Sequence, residues 1–261
     1  MASYQIEWVG TGSGLNPVLG NTAFIIRGSG DRQLLVDCGA TVPTAILKSG
    51  AIVGITDYLI THAHGDHFHG LEAAGFYNYF ALGRRGDRRP NLFFAGSGVA
   101  AAVATALEAS MGLIVNDTGE DLPVSLSEYF NIITTDRIQI PGLPEIRCVG
   151  RKHIGSLENF GLEIEGGVFY SGDTVEVPPA EPNLIFQDCQ FFDGGPGDVH
   201  ISFSRLCREV PAAVKARTHL VHVGGGWDKV DTQAEGFAGI VKPGDRFEIS
   251  LEETPAAPVA T

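Results

Sequence analysis

The apolar run ITDYLIT (residues 55–61) ends in HAHGDHFHG (62–70), and this junction constrains the chain more than any other stretch. Four of the protein's eight histidines fall within ten residues there. A β-strand that stops at this point holds His62 and His64 two residues apart at its mouth. Asp66 and His67 then lie on the loop or first helical turn beyond it. Such a turn can converge imidazole nitrogens and a carboxylate on ions ~4 Å apart or less. Zinc accepts nitrogen and oxygen donors at ~2.0–2.2 Å, which suits short spacings in a rigid turn. A solvated histidine-rich loop is the bland alternative, and the strong strand before the cluster argues against it. His69 reads as a packing or supporting histidine rather than a ligand.

Two ions need donors from elsewhere, and these should also sit at strand ends. His153 follows EIRCVGRK, Asp173 follows GVFYSG, and His222 follows ARTHLV. Asp173 is the natural bridge, because one carboxylate offers two oxygens.

Around these residues the chain reads as short strands mixed with helices. YQIEWVG (4–10), TAFIIRG (22–28) and RQLLVDCG (32–39) read as strands, the last two joined by the hairpin signal GSGD. Helical patterns fall at 41–50, 70–82, 99–112 and 202–214, the last running only to Pro211. Short strands fill 136–173, and further strands fall at 91–96, 183–189, 216–224 and near the C-terminus. Residues 113–133 show only a helical turn at LSEYF, and this segment could cover the metal site and shape the substrate pocket. The order implies a layered α/β domain with a two-sheet core. One domain is expected over 1–252, and the Pro-rich 253–261 reads as a disordered tail.

Composition narrows the partners. The formal charge of −13 argues against a broad surface for duplex nucleic acid. None of the four cysteines (Cys38, Cys148, Cys189, Cys207) forms a CxxC pair, so neither a zinc knuckle nor a thioredoxin-type site is indicated. No signal peptide and no run of 18 apolar residues occurs, so the default expectation is a cytoplasmic protein without a membrane partner.

The H-x-H-x-D-H cluster, a lone His153, SGDT at 171–174 and the late strand-end His222 together resemble the metallo-β-lactamase fold superfamily. VGTGSGLNPVLGNTAFIIRG followed by LLVDCG is similar to the opening of its ribonuclease Z-like branch. His153 followed by Phe160–Gly161, and the segment VHISFSRLCREVP before the last histidine, resemble the same branch. The resemblance spans roughly residues 6–250 and implies a four-layer αββα sandwich. It implies that His62, His64 and His153 bind one metal, that Asp66, His67 and His222 bind the second, and that Asp173 bridges them. Zinc is the first expectation, with manganese or iron as alternatives. A metal-bound hydroxide would attack the substrate, and metal binding brings the pKa of water toward ~7. By the same resemblance Asp66 would also orient that hydroxide, His200 would assist at a scissile phosphate, and Asp37 would support the ligand loop without binding metal.

The chain departs from ribonuclease Z in one respect. The tRNA-gripping arm of that enzyme lies between the lone histidine and the bridging aspartate, and here only 20 residues separate His153 from Asp173. The expectation is therefore a hydrolase of a small or cyclic phosphodiester rather than of tRNA. A lactonase or other acyl hydrolase is the alternative, followed by a non-hydrolytic iron-dependent or ligand-binding member of the fold. Arg84, Arg85, Arg88 and Arg89 form a basic cluster that could contact a phosphate but reads more simply as a solvated loop. A homodimer is compatible with the sequence.

Overall fold

In a computed structural model, which describes residues 3–116, 118–195 and 197–251, the N-terminal alternation becomes strand β1 (Ser3–Gly10). It turns Tyr4, Ile6 and Trp8 inward and leaves Gln5 and Glu7 half-buried. β2 (Ala23–Arg27) and β3 (Gln33–Val36) pair antiparallel, as the GSGD turn requires. β4 (Asp57–Ile60) and β5 (Asn91–Phe94) then add in parallel. A small separate hairpin of β6 (Leu113–Val115) and β7 (Asp121–Pro123) precedes β8 (Asn131–Thr134), which extends this sheet beyond β5. The second sheet holds β9 (Arg137–Ile138), β10 (Ile146–Gly150), β11 (Phe160–Ile164), β12 (Val168–Tyr170), β13 (Leu184–Asp188), β14 (Thr218–Val221) and β15 (Gly239–Ile240). Finally β16 (Arg246–Ser250) crosses back to pair with β1.

The sheet orders are β16-β1-β2-β3-β4-β5-β8 and β15-β14-β13-β12-β11-β10-β9. In each, the later-added half is parallel and the other half antiparallel to its neighbours. β4 reads as an unbroken buried run because both its faces are covered. Helices α1 (Val42–Lys48), α2 (Gly65–Phe68), α3 (Leu71–Phe76) and α4 (Ser97–Met111) lie on the first sheet. Their Ile46, Leu71, Val103 and Leu107 pack on Ile25, Leu35, Tyr58 and Leu92. Helices α5 (Phe203–Glu209) and α6 (Ala212–Lys215) cover the second sheet, with Leu206 and Val214 against Ile185 and Leu220. Between the sheets Trp8 meets Phe24 and Phe186 at ring distances of 4.8 and 4.9 Å. Three separate apolar layers thus hold four layers together, the αββα order expected.

Four local expectations change. The pattern at 70–82 is helical throughout, but it widens from α3 into a π-helical turn over Tyr77–Ala81. The helix before Pro211 ends there as read, at Glu209, but a second short helix begins directly after it. Pro211 caps the start of α6, where its fixed φ suits a helix N-terminus. Within 113–133 only the turn at Leu126–Glu128 matches the reading, and the hairpin and β8 were not legible. That segment also does not shape the pocket of its own chain. Leu126, Tyr129 and Phe130 pack into the core between helices and first sheet instead. The proposed tail at 253–261 lies outside the described residues. No helix among the described residues is long and apolar enough to cross a membrane.

Candidate metal centre

The parallel strands of both sheets end on one side of the molecule, where α/β proteins place their ligand sites. Asp37 follows β3 and His62 follows β4. Asp173 follows β12, Asp188 ends β13 and His222 follows β14. His153 lies beyond β10, which points the same way as β12. His64, Asp66 and His67 come from the start of α2. The carboxylate oxygen Asp173 Oδ2 is the hub. It lies 3.6 Å from His62 Nε2, 3.4 Å from His67 Nε2, 3.9 Å from His153 Nε2 and 3.4 Å from His222 Nε2. Ligand-type atoms of His62, His64, His153 and Asp173 form one tight group, and those of Asp66, His67 and His222 form another. All seven residues singled out as ligands are therefore brought together, and a third group joins Asp173 and His222 to Asp188 and His200.

Asp37 organises one histidine from each set. Its side chain is fully buried. His67 Nδ1–H donates to Asp37 Oδ2 at 2.8 Å. The Thr61 backbone N–H and hydroxyl also donate to Asp37, at 2.9 Å each. With its proton so committed, the Thr61 oxygen accepts from His62 Nδ1–H at 3.1 Å. His153 Nδ1–H donates to the carbonyl of Val199 at 2.7 Å. In the His62 and His153 rings the outward nitrogen carries the proton, so the inward Nε2 presents a lone pair.

These lone pairs converge. His62 Nε2 and His153 Nε2 lie 3.0 and 3.2 Å from His64 Nδ1. A single proton on His64 Nδ1 can serve only one of the other two nitrogens well, so at least one lone-pair contact stays uncompensated unless a cation lies between them. His67 Nε2 and Asp173 Oδ1 are enclosed and make no hydrogen bond among the described residues. A buried, unsatisfied nitrogen and oxygen of this kind are what metal coordination satisfies. The donor set, imidazole and carboxylate without thiolate, fits a divalent ion.

The charges respond to this crowding. Burial strips His62 of its proton, helped by the charge of His67, so its pKa falls well below 6.5. At His222 burial also opposes charge, but the carboxylate of Asp173 and its acidic neighbours outweigh it and lift the pKa to about 10. Burial works against ionisation of Asp66, yet the His222 hydrogen bond and the His67 charge hold it below the usual carboxylate range.

Close backbone approach keeps these parts in register. A Cβ on Gly39 would stand 1.9 Å from the Asp66 carbonyl oxygen, and one on Gly14 would stand 2.9 Å from Asp66 Oδ2. The N-terminal GTGSG turn also ties down the loop carrying His222. Val223 N–H donates to Thr11 O, and Ser13 N–H and Asn16 Nδ2 donate to Val223 O. Asp37 and His222 are the two non-glycine residues among those described with positive φ, at 58° and 54°. Strained backbone of this kind concentrates at functional sites.

His200 stands beside the centre, half-buried, with Nδ1 donating to Asp188 Oδ2 at 2.8 Å. Burial disfavours its charge, but Asp188 outweighs burial and raises its pKa. Asp188 was missed in the sequence, although QDC after NLIFQ carries the same strand-end signal as Asp173. Its Oδ1 lies 3.3 Å from His222 Nδ1, so one carboxylate steadies two histidines. His69 is exposed and stacks on Phe68, outside the convergent group. The arginine cluster does not reach the centre. Arg84 donates to the carbonyl oxygens of Ile55 and Val53, and Arg85 lies over the Tyr79 ring at 4.3 Å. His64, Asp66, Asp173, His200 and His222 line a cleft of about 660 Å³. A larger groove of about 760 Å³ lies on the second sheet, where Arg137 and Arg147 pair with Glu145 and Glu163.

A protein-family model described as Anti-Pycsar protein Apyc1 matches residues 4–247. The chain belongs to the Anti-Pycsar Apyc1 family. A relative named Anti-Pycsar protein Apyc1 from Bacillus phage BSP38 is 32% identical over 237 residues, covering 84% of this chain and 89% of the relative. Among solved structures, the metallo-β-lactamase fold protein YhfI from Bacillus subtilis superposes with a TM-score of 0.72 at 17% identity. That match covers 94% of this chain and 99% of YhfI. The short form of human tRNase Z superposes with a TM-score of 0.64 at 17% identity, covering 95% of this chain and 100% of that one. The Apyc1-family chain thus has the metallo-β-lactamase fold that its histidine cluster implied, with ribonuclease Z-like neighbours.

Proposed function

We propose that the protein is a dinuclear metal-dependent phosphodiesterase of a small or cyclic diester, a cyclic nucleotide in particular, and that zinc is the resident metal. The observation that carries this reading is the placement of Asp173 Oδ2 within 3.4–3.9 Å of imidazole nitrogens from both donor sets. His62, His64 and His153 would hold one ion, Asp66, His67 and His222 the other, and Asp173 both. Bound there, the ions would supply Lewis acidity and a nucleophilic water at neutral pH.

The remaining work falls to the chain's own groups. Asp66 Oδ2, 3.2 Å from His222 Nε2, is partly exposed to the cleft and can orient water held there by accepting a hydrogen bond from it. Asp188 holds His200 by Nδ1 and favours its charged form, so Nε2–H can donate to a phosphate oxygen or to the departing alkoxide. The short His153–Asp173 spacing leaves no room for a tRNA-gripping arm, and the net charge of −13 disfavours a polynucleotide. The relatives' name, Anti-Pycsar protein, supports a role in countering Pycsar.

The test is a substrate panel with zinc-loaded protein: 3′,5′-cyclic nucleotides, bis-p-nitrophenyl phosphate, a lactone and precursor tRNA. Turnover of the diesters that disappears in Asp173→Asn is expected. Lactone turnover without diester turnover would overturn the reading in favour of an acyl hydrolase.

A further inference from the structure

The cleft wall beyond the centre carries two groups that the proposed chemistry does not use. Gln190 is only 7% exposed, and its Nε2 is enclosed without a hydrogen-bond partner among the described residues. Its backbone is fixed on the segment that carries His200: Gln190 N–H donates to Ile201 O at 3.0 Å, and Phe203 N–H donates to Gln190 O at 2.8 Å. Two residues on, Phe192 lines the same cleft and leaves 60% of its surface uncovered. Phe191 between them faces the other way, with its ring 5.2 Å from Phe203 in the core of the second sheet. Gln190 and Phe192 thus both line the cleft, on either side of a core-packed Phe191. Leu15, 95% exposed on the glycine-rich turn, lines it too.

An enclosed amide donor without a partner is destabilising, and an exposed aromatic face lining a cleft is a ready platform for a flat ring. A phosphate cannot satisfy both, since it has acceptor oxygens but no flat apolar face. A planar heterocycle with acceptors on its edge can. We infer that Gln190 and Phe192 form the subsite for the substrate's nucleobase, the ring lying on Phe192 and an edge acceptor taking Gln190 Nε2–H. This rests on the phosphodiester reading and adds to it: the centre handles the diester, and these residues select the organic group attached to it.

The experiment compares 3′,5′-cyclic AMP with the 3′,5′-cyclic phosphate of an abasic deoxyribose, for the parent protein and for Phe192→Ala, Phe192→Trp and Gln190→Leu. In the parent, kcat/KM should favour the nucleotide. In Phe192→Ala and Gln190→Leu that preference should shrink by about tenfold each through KM rather than kcat, the size of one lost stack or hydrogen bond. Phe192→Trp should keep it. Adenosine, which has no phosphate, should inhibit the parent and lose about tenfold in potency on both weakened variants. An unchanged preference in those variants, or loss through kcat alone, overturns the subsite. Turnover of neither diester by the parent overturns the phosphodiester reading itself, and the subsite with it.

Discussion

Asp37 sits behind His67, accepting its Nδ1 proton at 2.8 Å, and the same carboxylate reaches His62 through the Thr61 hydroxyl. One residue that touches neither inward nitrogen therefore fixes the ring orientation and proton position of a histidine in each donor set. Replacing Asp37 with alanine should weaken binding at both positions. Residues that orient ligands in this way typically account for ~10–100-fold in metal affinity. Competition with a zinc chelator should show two weakened sites, and a single weakened site would contradict this linkage.

Asp188 plays a parallel part for His200. Its removal leaves the His200 ring free to rotate and removes the charge that favours its protonated form. Asp188→Asn should lower kcat on an unactivated diester by roughly 10²-fold, the usual scale of a lost general acid. A good leaving group such as p-nitrophenolate needs little protonation, so bis-p-nitrophenyl phosphate should lose far less. Equal losses on both substrates would point to a merely structural role.

Removal of metal should destabilise the protein. Without an ion the inward nitrogens of His62, His64 and His153 face one another at 3.0–3.2 Å. At a free ion concentration about 100 times its dissociation constant, binding contributes ~2.7 kcal/mol per site. For a chain of this size each kcal/mol shifts Tm by roughly 2–4 °C. Chelator should lower the melting temperature by about 5–10 °C or more, and added zinc should restore it. An unchanged Tm would show that the donor set holds no ion.

Gly39→Ala should be among the most damaging surface-remote changes. The new methyl would overlap the Asp66 carbonyl oxygen, which is backbone and cannot swing away. A loss on the order of 2–4 kcal/mol is expected, read by urea unfolding. Gly14→Ala meets only the Asp66 side chain at 2.9 Å, so its effect should fall on metal occupancy and rate more than on stability.

Much of this centre was readable in the sequence because its ligands follow strands that are themselves unmistakable. The strands within ITDYLIT, GVFYSG and ARTHLV are apolar enough to be buried almost throughout, and the residue types at their ends are ligand types. Asp188 carried the same signal after NLIFQ and was passed over. A strand end says that a side chain reaches the rim, not which neighbour it meets there, and only the 2.8 Å contact with His200 reveals its part. Asn131–Thr134 escaped notice as a strand because it is short and half-exposed, and its parallel partner β5 lies about 40 residues earlier. Pro211 marked the end of α5 correctly but hid the start of α6, because the same fixed φ that breaks a helix interior also suits a helix start.

The division of donors between the sheets has a consequence for synthesis. Residues 62–67 emerge with the first half of the chain, whereas His153, Asp173 and His222 belong to the second. β16, the strand that closes the first sheet against β1, comes later still. A nascent chain stalled before residue 153 can hold a histidine-rich turn but neither complete donor set, and one stalled between 173 and 222 has the first set but not the second, nor the finished sheet. Assembly of the two donor sets is thus stepwise in the life of each molecule, the second following only after residue 222 has left the ribosome.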